Sequence, residues 1–337
     1  MSTWDTVIGH EWAAEMLAGV IEHERVGHAY LVTGPEQVGK TTLARTFAQA
    51  LNCEAADMGR RPCGRCRACT LIAADRHPDV RLLLPEVSGR GKLTLKIDEI
   101  RTLQQELSLA AYEARHKVAI VKRFDAATDG AANAFLKTLE EPPRNVVLLL
   151  TANDADSLLP TIASRCRIIH LRPLPVALIE QSLQLRWQVP EEQALLLAHL
   201  ADGRLGWAVQ AAQNDSPLQE RAVHLAQLYE ALAGNRVSRF ALADKLSRKP
   251  ELLPDVLKTW LSWWRDLTLL AQQAGSNGDL ALTNVDEREH LWQLAQSWSG
   301  KQALAGLKQT NLAIWQLERN ANTRLVVENL LLTYPLA

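Results

Sequence analysis

The sequence predicts a doubly wound α/β domain with a phosphate-binding loop, followed by a second half built of helices. Three observations lead to this prediction. A GxxxxGK[ST] pattern comes directly after a short apolar run and before a helical pattern. Continuous apolar runs rich in β-branched residues alternate with helical patterns as far as about residue 170, as in parallel sheets covered on both faces. Beyond Pro175, apolar residues recur at helical spacing and β-branched residues become few.

The phosphate-binding pattern is GPEQVGKTT, residues 34–42. The run at 28–33 predicts a strand before it, and the spacing of apolar residues at 43–51 predicts a helix after it. Glycines let successive backbone N–H groups curl around phosphate oxygens. Lys40 would reach the β- and γ-phosphates, and the Thr41 hydroxyl would be offered to Mg²⁺. The order of strand, loop and helix predicts a nucleotide site, which leaves open whether the loop turns a nucleotide over or only holds one.

Six further segments complete the predicted α/β domain. The runs at 79–85, 117–121 and 145–153 predict strands, and 89–96 predicts a turn followed by a second short strand. Helical spacing predicts a helix from Ile97 to Leu109. Another helix is predicted after Asp129 as its N-cap, with Pro142-Pro143 as the stop signal. Its buried face is expected to carry Ala132, Phe135, Leu136 and Leu139.

Bulk composition limits the classes of protein to consider. A chain of 337 residues is long enough for two or three domains, and 47% hydrophobic with 22% charged residues is typical of a globular protein. A formal net charge of −1 provides no broad basic field for holding DNA unaided. The beginning of the chain lacks the pattern of a signal peptide, and no apolar stretch is long enough to span a membrane. We therefore expect a cytoplasmic protein without a membrane partner.

Four of the five cysteines lie in one short polar segment: Cys53, Cys63, Cys66 and Cys69. Four thiolates at such spacing can surround Zn²⁺ tetrahedrally, whereas a catalytic zinc would need an open position. The alternatives are a redox pair or unconnected surface thiols. We predict structural zinc in this module, residues 53–69. Its arginines could touch DNA or an acidic partner or form a solvated face: Arg60, Arg61, Arg65 and Arg67.

The helical half is predicted to form two bundles, one from about 174 to 235 and the other from about 240 to the end, with a break near Gly234. The last bundle is rich in tryptophan, for which we expect mostly core positions and, as the alternative, interface positions. These residues are Trp260, Trp263, Trp264, Trp292, Trp298 and Trp315.

Several segments together resemble the clamp-loader branch of the AAA+ ATPases, in particular the bacterial DNA polymerase III clamp loader. They are, in order, VIGHEWAAEMLAGVIEHERVGHAYLVTGPEQVGKTTLARTFAQALNC, the four-cysteine insert, ANAFLKTLEEPP, TIASRC and NANTRLVVENLLL. The resemblance covers nearly the whole chain. It implies an AAA+ P-loop domain with a zinc insert at 1–173, a helical lid at 174–235, and an all-α collar for oligomerisation at 240–337.

The resemblance also implies which residues contact bound ATP or ADP, with Mg²⁺ as the accompanying ion. These residues are Ile8, Gly34, Gly39, Lys40, Thr41 and Thr42.

Two kinds of subunit share this layout: a motor subunit that hydrolyses ATP, and a stator that closes one end of the pentameric ring. In the motor, an acidic pair follows the strand that corresponds here to 118–121; one carboxylate helps to hold Mg²⁺ and the other polarises the attacking water. Lys122 and Arg123 stand in those positions, and neither cation can take either role at neutral pH. Asp125 is the alternative carboxylate, but it lies three residues beyond the expected start of the pair.

Two further departures from the motor agree with the first. The motor carries an arginine in its lid that senses the γ-phosphate, and the matching position here is Gly206. Arg204 lies two residues earlier, about 200° around a helix, and is a poor replacement if this stretch is helical. The motor also usually continues past the collar, where this sequence stops.

Arg165, in the SRC motif, matches the arginine finger of the family, which acts in trans on the ATP site of the adjacent motor subunit. A surface or salt-bridged arginine is the alternative interpretation. The resemblance therefore implies a stator without its own ATPase activity. It would work with motor (gamma or tau) and delta subunits, through collar and AAA+ interfaces, to place a sliding clamp on primed DNA. The alternatives are an ATP-hydrolysing motor subunit of the gamma or tau kind and a zinc-dependent DNA-binding regulator.

Overall fold

The computed structural model describes residues 3–88, 93–272, 281–319 and 321–335. These residues form two compact units. Unit one contains the described residues up to 178 together with 203–206. Unit two contains 179–202 and the described residues from 207 onwards. The three-domain division expected from the sequence stays a prediction.

Unit one is built on a parallel sheet. Its strands are β1 (Ala29–Thr33), β2 (Val80–Leu83), β3 (Glu86–Val87), β4 (Leu93–Thr94), β5 (Lys117–Val121), β6 (Val146–Ala152) and β7 (Arg167–His170). Five of them form one sheet in the order β2-β5-β6-β1-β7, and every neighbouring pair is parallel. Every residue of β1 and β6 is buried, which explains their continuous apolar sequences. The predicted strands of this domain are confirmed.

Helices cover both faces of this sheet. They are α1 (Glu11–Glu22), α2 (Lys40–Asn52), α3 (Arg67–Ala73), α4 (Ile97–Ser108), α5 (Asp129–Glu140) and α6 (Pro160–Ala163). Side chains alternate along β1: Tyr30 and Val32 pack with α1 and α2, whereas Ala29 and Leu31 pack with α4 and α5. The doubly wound arrangement predicted from the sequence is therefore confirmed.

The start of α5 differs by one residue from the prediction. Thr128, not Asp129, is the N-cap, because the Thr128 hydroxyl accepts a hydrogen bond from the backbone N–H of Ala131. Asp129 is the first helical residue, where its charge still favours the helix dipole. The helix ends at Glu140, just before the two prolines, as predicted.

A small antiparallel ladder lies beyond β2. In it β3 pairs with β4, which confirms the second short strand predicted in the 89–96 segment. The turn predicted at its beginning lies outside the described residues.

Unit two is helical throughout its described part. Its helices are the end of α7 (Val176–Trp187), α8 (Glu191–Leu200), most of α9 (Leu205–Gln213), α10 (Ser216–Ala233), α11 (Arg236–Ser247), α12 (Leu253–Gln272), α13 (Arg288–Ser297), α14 (Gly300–Glu318) and α15 (Thr323–Thr333). The helices break at Gly234, between α10 and α11, whereas the boundary between two bundles expected there stays a prediction. One hydrophobic core runs from Leu225 of α10 to Tyr334.

Four of the six singled-out tryptophans lie in this core. Trp260, Trp263 and Trp264 on α12 are fully buried, and Trp298 is stacked on Trp264 with ring centroids 5.6 Å apart. Trp292 and Trp315 are about half exposed. Among the described residues, no helix is both long and apolar enough to cross a membrane.

Candidate functional site

The phosphate-binding loop connects β1 to α2 at the carboxyl edge of the sheet. Two of its glycines have backbone conformations that other residues rarely adopt, with φ of 139° at Gly34 and 111° at Gly39. A Cβ atom at Gly34 would also lie 2.3 Å from the carbonyl oxygen of Leu171. The loop therefore needs glycine at its first position for two independent reasons.

Lys40 braces this loop from within. Its ammonium group donates to the carbonyl oxygens of Gly34 and Pro35, the latter at 2.7 Å, and lies 3.4 Å from the side-chain oxygen of Asn153. Burial lowers the pKa of Lys40 to about 8, although the carboxylates of Glu36 and Asp125 oppose the shift. Lys40 is therefore still mostly protonated at neutral pH and available to a phosphate.

The residues predicted to contact nucleotide all lie in unit one. Lys40, Thr41 and Thr42 form the first turn of α2, where backbone N–H groups have no partner within the helix and favour anions. Ile8 is half-buried shortly before α1. Their roles toward a nucleotide stay predictions.

Two further residues hold the loop and were not predicted. The His10 ring nitrogen Nε2 lies 3.2 Å from the carbonyl oxygen of Val38. Burial lowers the pKa of His10, so the neutral ring donates this hydrogen bond. The backbone carbonyl oxygen of Asn153, directly after β6, accepts a hydrogen bond from the backbone N–H of Gly34. Asn153 could have been predicted from the sequence, because it is a polar residue directly after a buried parallel strand. No sequence pattern marks His10 as a residue that contacts the loop.

The end of β5 carries cations, as the sequence indicates. Lys122 is exposed, and Arg123 turns back with φ of 54° while its backbone N–H donates to the Thr151 hydroxyl at 3.0 Å. The Arg123 guanidinium forms an ion pair with Glu36 of the phosphate loop. It also binds Asp125 through Nε and Nη2, each at 3.1 Å from Oδ2. Arg123 therefore links the end of β5 to the phosphate loop.

The carboxylates beside the loop are occupied by Arg123, so the Thr41 hydroxyl lacks the carboxylate partner with which Mg²⁺ is usually held. This ion requires oxygen ligands in near-octahedral geometry and is usually held by one or two carboxylates together with phosphates. The two carboxylates whose charges act on Lys40 belong to Glu36 and Asp125. Both are ion-paired with Arg123. Asp125 is therefore committed to a cation and is not placed as a substitute metal ligand.

Gly206 lies directly against the phosphate loop. The backbone N–H of Gly206 donates to the carbonyl oxygen of Gln37 at 2.9 Å, and a Cβ atom at Gly206 would lie 2.8 Å from that oxygen. An arginine at position 206 would require the phosphate loop to move. Arg204 precedes α9, which begins at Leu205, so an angle around that helix does not describe its position relative to Gly206.

Arg165 lies just after α6 and is about one-third exposed. Its guanidinium forms an ion pair with Glu140 at 2.8 Å and donates to the carbonyl oxygen of Thr161 at 2.9 Å. Glu140 is the last residue of α5, in the LEEPP stretch. The two sequence motifs thus meet at the surface of unit one.

The four clustered cysteines converge on one point. The sulfur atoms of Cys53, Cys63, Cys66 and Cys69 all lie within 4.8 Å of one another. A tetrahedral zinc with Zn–S bonds of about 2.3 Å would place its sulfurs about 3.8 Å apart, so small adjustments suffice. The cluster can hold a metal ion, and its all-sulfur donor set suits zinc.

Backbone N–H groups donate hydrogen bonds to the sulfur atoms of this cluster, as they would to thiolates. The N–H groups of Cys63, Cys66 and Cys69 donate to the sulfurs of Cys53, Cys63 and Cys66 at 3.3–3.4 Å. Burial alone would raise the pKa of Cys63, but hydrogen bonds from backbone N–H groups and neighbouring thiols lower it to about 6. Burial raises the pKa of Cys53 and of Cys69.

Comparison with known proteins identifies relatives of the chain. A family model described as "DNA polymerase III, delta subunit" matches residues 9–175. DNA polymerase III subunit delta' of Bacillus subtilis is 31% identical over 327 residues, which cover 94% of each chain. DNA polymerase III subunit tau of the same organism is 29% identical, over 84% of this chain but 53% of tau. The delta' match is therefore the more complete in both sequences.

Among solved structures, a DNA polymerase III gamma subunit-related protein from Thermotoga maritima aligns over 95% of this chain and 97% of its own. Its TM-score is 0.47 and its sequence identity is 21%.

Proposed function

The chain belongs to the DNA polymerase III delta' family, and we propose that it is the stator of a clamp loader. In this role it closes the ring, holds a nucleotide without hydrolysing it, and lends Arg165 to the ATP site of a neighbouring motor subunit. Its partners are motor subunits of the tau or gamma kind and a delta subunit, and the assembly acts on a sliding clamp and primed DNA. Such an assembly works in the cytoplasm.

The observation that carries this proposal is the cationic end of β5. Hydrolysis on a phosphate loop requires a carboxylate that helps to hold Mg²⁺ and a group that orients the attacking water. Lys122 and Arg123 occupy the position where the motor has its acidic pair. The nearby carboxylates of Glu36 and Asp125 are both ion-paired with Arg123. The loop geometry supports holding phosphates, and the surrounding charges do not support turnover.

Arg165 supports the proposed action in trans. Its ion pair with Glu140 is solvent-exposed on both sides, and such pairs contribute only about 0–1 kcal/mol. The guanidinium can therefore exchange Glu140 for a phosphoryl group of a neighbour at little cost. In other NTPases such a finger accelerates phosphoryl transfer by about 10³ to 10⁵.

The four-cysteine module takes a structural role in this proposal. Zinc would hold residues 53–69 in place through four protein ligands, which leaves no open position for catalysis.

Single-turnover hydrolysis by the purified chain tests the proposal. The chain is mixed with a small amount of radiolabelled ATP and Mg²⁺, and bound nucleotide and product are measured in the same sample. We expect binding without product, and loss of binding in Lys40→Ala, because Lys40 both braces the loop and meets the phosphates. Turnover that disappears in Lys40→Ala would instead support the motor function and overturn the stator proposal.

A further inference from the structure

The charged groups that act most strongly on Lys40 include as many cations as carboxylates, without any metal ion. The groups whose charges act on Lys40 are the carboxylates of Glu36 and Asp125 and the cations of Arg123 and Lys122. With Lys40 itself, three cations face two carboxylates. A site that had the acidic pair in place of Lys122 and Arg123 would be negative and would need a divalent ion to accept a nucleotide polyanion. The site in this chain does not need a divalent ion for that purpose.

The Arg123 guanidinium is held where it can serve an anion on the loop. Its backbone N–H is bonded to Thr151, and its Nε edge is bonded to Asp125, whose side chain is only 11% exposed. The remaining nitrogen, Nη1, reaches Glu36, the third residue of the loop. Asp125 therefore fixes the orientation of the guanidinium, and Glu36 accepts the hydrogen bond from the nitrogen that points toward the loop.

Glu36 is the partner that a phosphate can replace. The side chains of Arg123 and Glu36 are 24% and 31% exposed, so water already screens part of their attraction. A phosphate brings more negative charge than a carboxylate and accepts the planar fork of arginine in two parallel hydrogen bonds. Because Asp125 stays bound, the exchange does not require Arg123 to be reoriented.

We propose that this loop binds nucleoside di- and triphosphates in their metal-free form, with the Arg123 guanidinium supplying the positive charge that Mg²⁺ supplies in a hydrolysing site. This inference rests on the proposed role of the loop in holding a nucleotide. It explains how an intact phosphate loop can coexist with a cationic end of β5. Binding without Mg²⁺ also removes the ion that hydrolysis requires.

Calorimetric titration with ADP and with ATP tests this inference on the full chain. One titration uses buffer depleted of divalent ions by a chelating resin, and the other uses the same buffer with added MgCl₂. A free chelator is avoided, because it could remove metal from the four cysteines, and metal content is assayed before and after. We expect the dissociation constant in the metal-depleted buffer to be no larger, within about threefold, than the dissociation constant in MgCl₂. Affinity that rises about tenfold or more with Mg²⁺, or no binding in either buffer, overturns the inference.

The variant Arg123→Asp replaces the positive charge that is proposed to take the place of Mg²⁺ with a negative charge. We expect its affinity in metal-free buffer to fall by about tenfold or more, and to recover at least partly when MgCl₂ is added. Arg144→Asp is the matched control, because it changes the net charge equally but is exposed and precedes β6 at the opposite edge of the sheet. Equal losses in both variants would mean that only net charge matters and would contradict the role of Arg123.

The outcomes separate this inference from the proposed function. Hydrolysis by the chain alone would overturn the stator proposal whatever the metal requirement of binding. Binding that needs Mg²⁺ but leads to no hydrolysis would overturn only the inference. Because the comparison of two buffers uses the unmodified chain, it remains decisive even if Arg123→Asp fails to fold.

Discussion

At the scale of single residues, buried carboxylates in this chain act by accepting backbone hydrogen bonds. Asp79, just before β2, is buried and accepts from the N–H groups of Tyr112, Glu113 and Ala114 at 2.8–2.9 Å. It thereby ties the connection between α4 and β5 to the edge strand of the sheet. Burial alone would raise the pKa of Asp79, but these three bonds outweigh burial and lower it below its usual value.

This lowered pKa predicts a pH dependence of stability. A carboxyl group whose pKa is lower in the folded chain stabilises the fold above its unfolded pKa of about 3.9, and this contribution is lost as the pH falls through the folded value. In Asp79→Asn we expect a lower melting temperature at neutral pH, and a difference from the unmodified chain that shrinks below about pH 4. Thermal unfolding followed from neutral to acidic pH measures both effects.

Asp156→Asn is the control for this prediction, because Asp156 is exposed. If the two variants depended on pH in the same way, the hydrogen bonds to Asp79 would not be the cause.

At the scale of helices and strands, the packing of α12 against α14 depends on one missing side chain. A Cβ atom at Gly306 would lie 2.6 Å from three ring atoms of Trp264. Trp264 is fully buried and enclosed by Trp263, Trp298 and Tyr334, with ring centroids 5.1–5.6 Å away. The ring therefore has little room to move, and the close approach of the two helices requires glycine.

We expect Gly306→Ala to destabilise unit two by about 1–3 kcal/mol, because overpacking outweighs the gain in helix propensity. Gly19→Ala in the middle of α1 is the matched control, because a Cβ atom there meets nothing within 4 Å. The control should stabilise the fold by up to about 1 kcal/mol. Chemical denaturation followed by both tryptophan fluorescence and circular dichroism measures the free energy of unfolding of each variant. A stabilised Gly306→Ala would contradict the packing argument.

The four-cysteine module, residues 53–69, is an element that apolar burial alone does not support. Cys69 and Cys53 are its fully buried cysteines, and the segment between them is mostly polar. We expect metal analysis to find one zinc per chain, and Cys69→Ser to lose this zinc and become more sensitive to proteolysis within the module. Cys166→Ser is the control, because Cys166 lies outside the cluster and should leave the zinc content unchanged. A folded, protease-resistant chain without metal would contradict this prediction.

At the scale of the whole molecule, the proposed function places one catalytic group on the surface for use by another chain. We expect Arg165→Ala to fold and to assemble with its partners, because its ion pair with Glu140 is exposed. The ATP site that borders this subunit should lose activity by a factor of the order of 10³, so that the reconstituted ring loses the turnover of that one site.

Two further variants sharpen this measurement. Arg165→Lys keeps the charge but not the planar fork and should restore little activity. Arg144→Ala, which removes an exposed arginine elsewhere on unit one, should leave the ATPase rate of the ring unchanged. An unchanged rate with Arg165→Ala would mean that the finger assignment is wrong.

Local sequence accounts for most of the elements in this molecule. The continuous apolar run of β5 and the helical spacing of α4 are patterns among residues that are close in the sequence. Both elements were predicted within a residue of their observed bounds. The N-cap of α5 was misplaced because Thr128 and Asp129 are adjacent and both are good capping residues. Only the backbone geometry decides which of them precedes the first turn.

The sequence by itself determined the phosphate loop, the alternation of strands and helices, the cysteine cluster and the cations at the end of β5. These features depend on residue types at short spacings, which set local conformation and chemistry. Only the tertiary structure decided that Arg123 binds Glu36, 87 positions away, that Gly206 meets Gln37, and that Gly306 meets Trp264. Those contacts depend on how the parallel strands and packed helices bring distant segments together, which no local periodicity encodes.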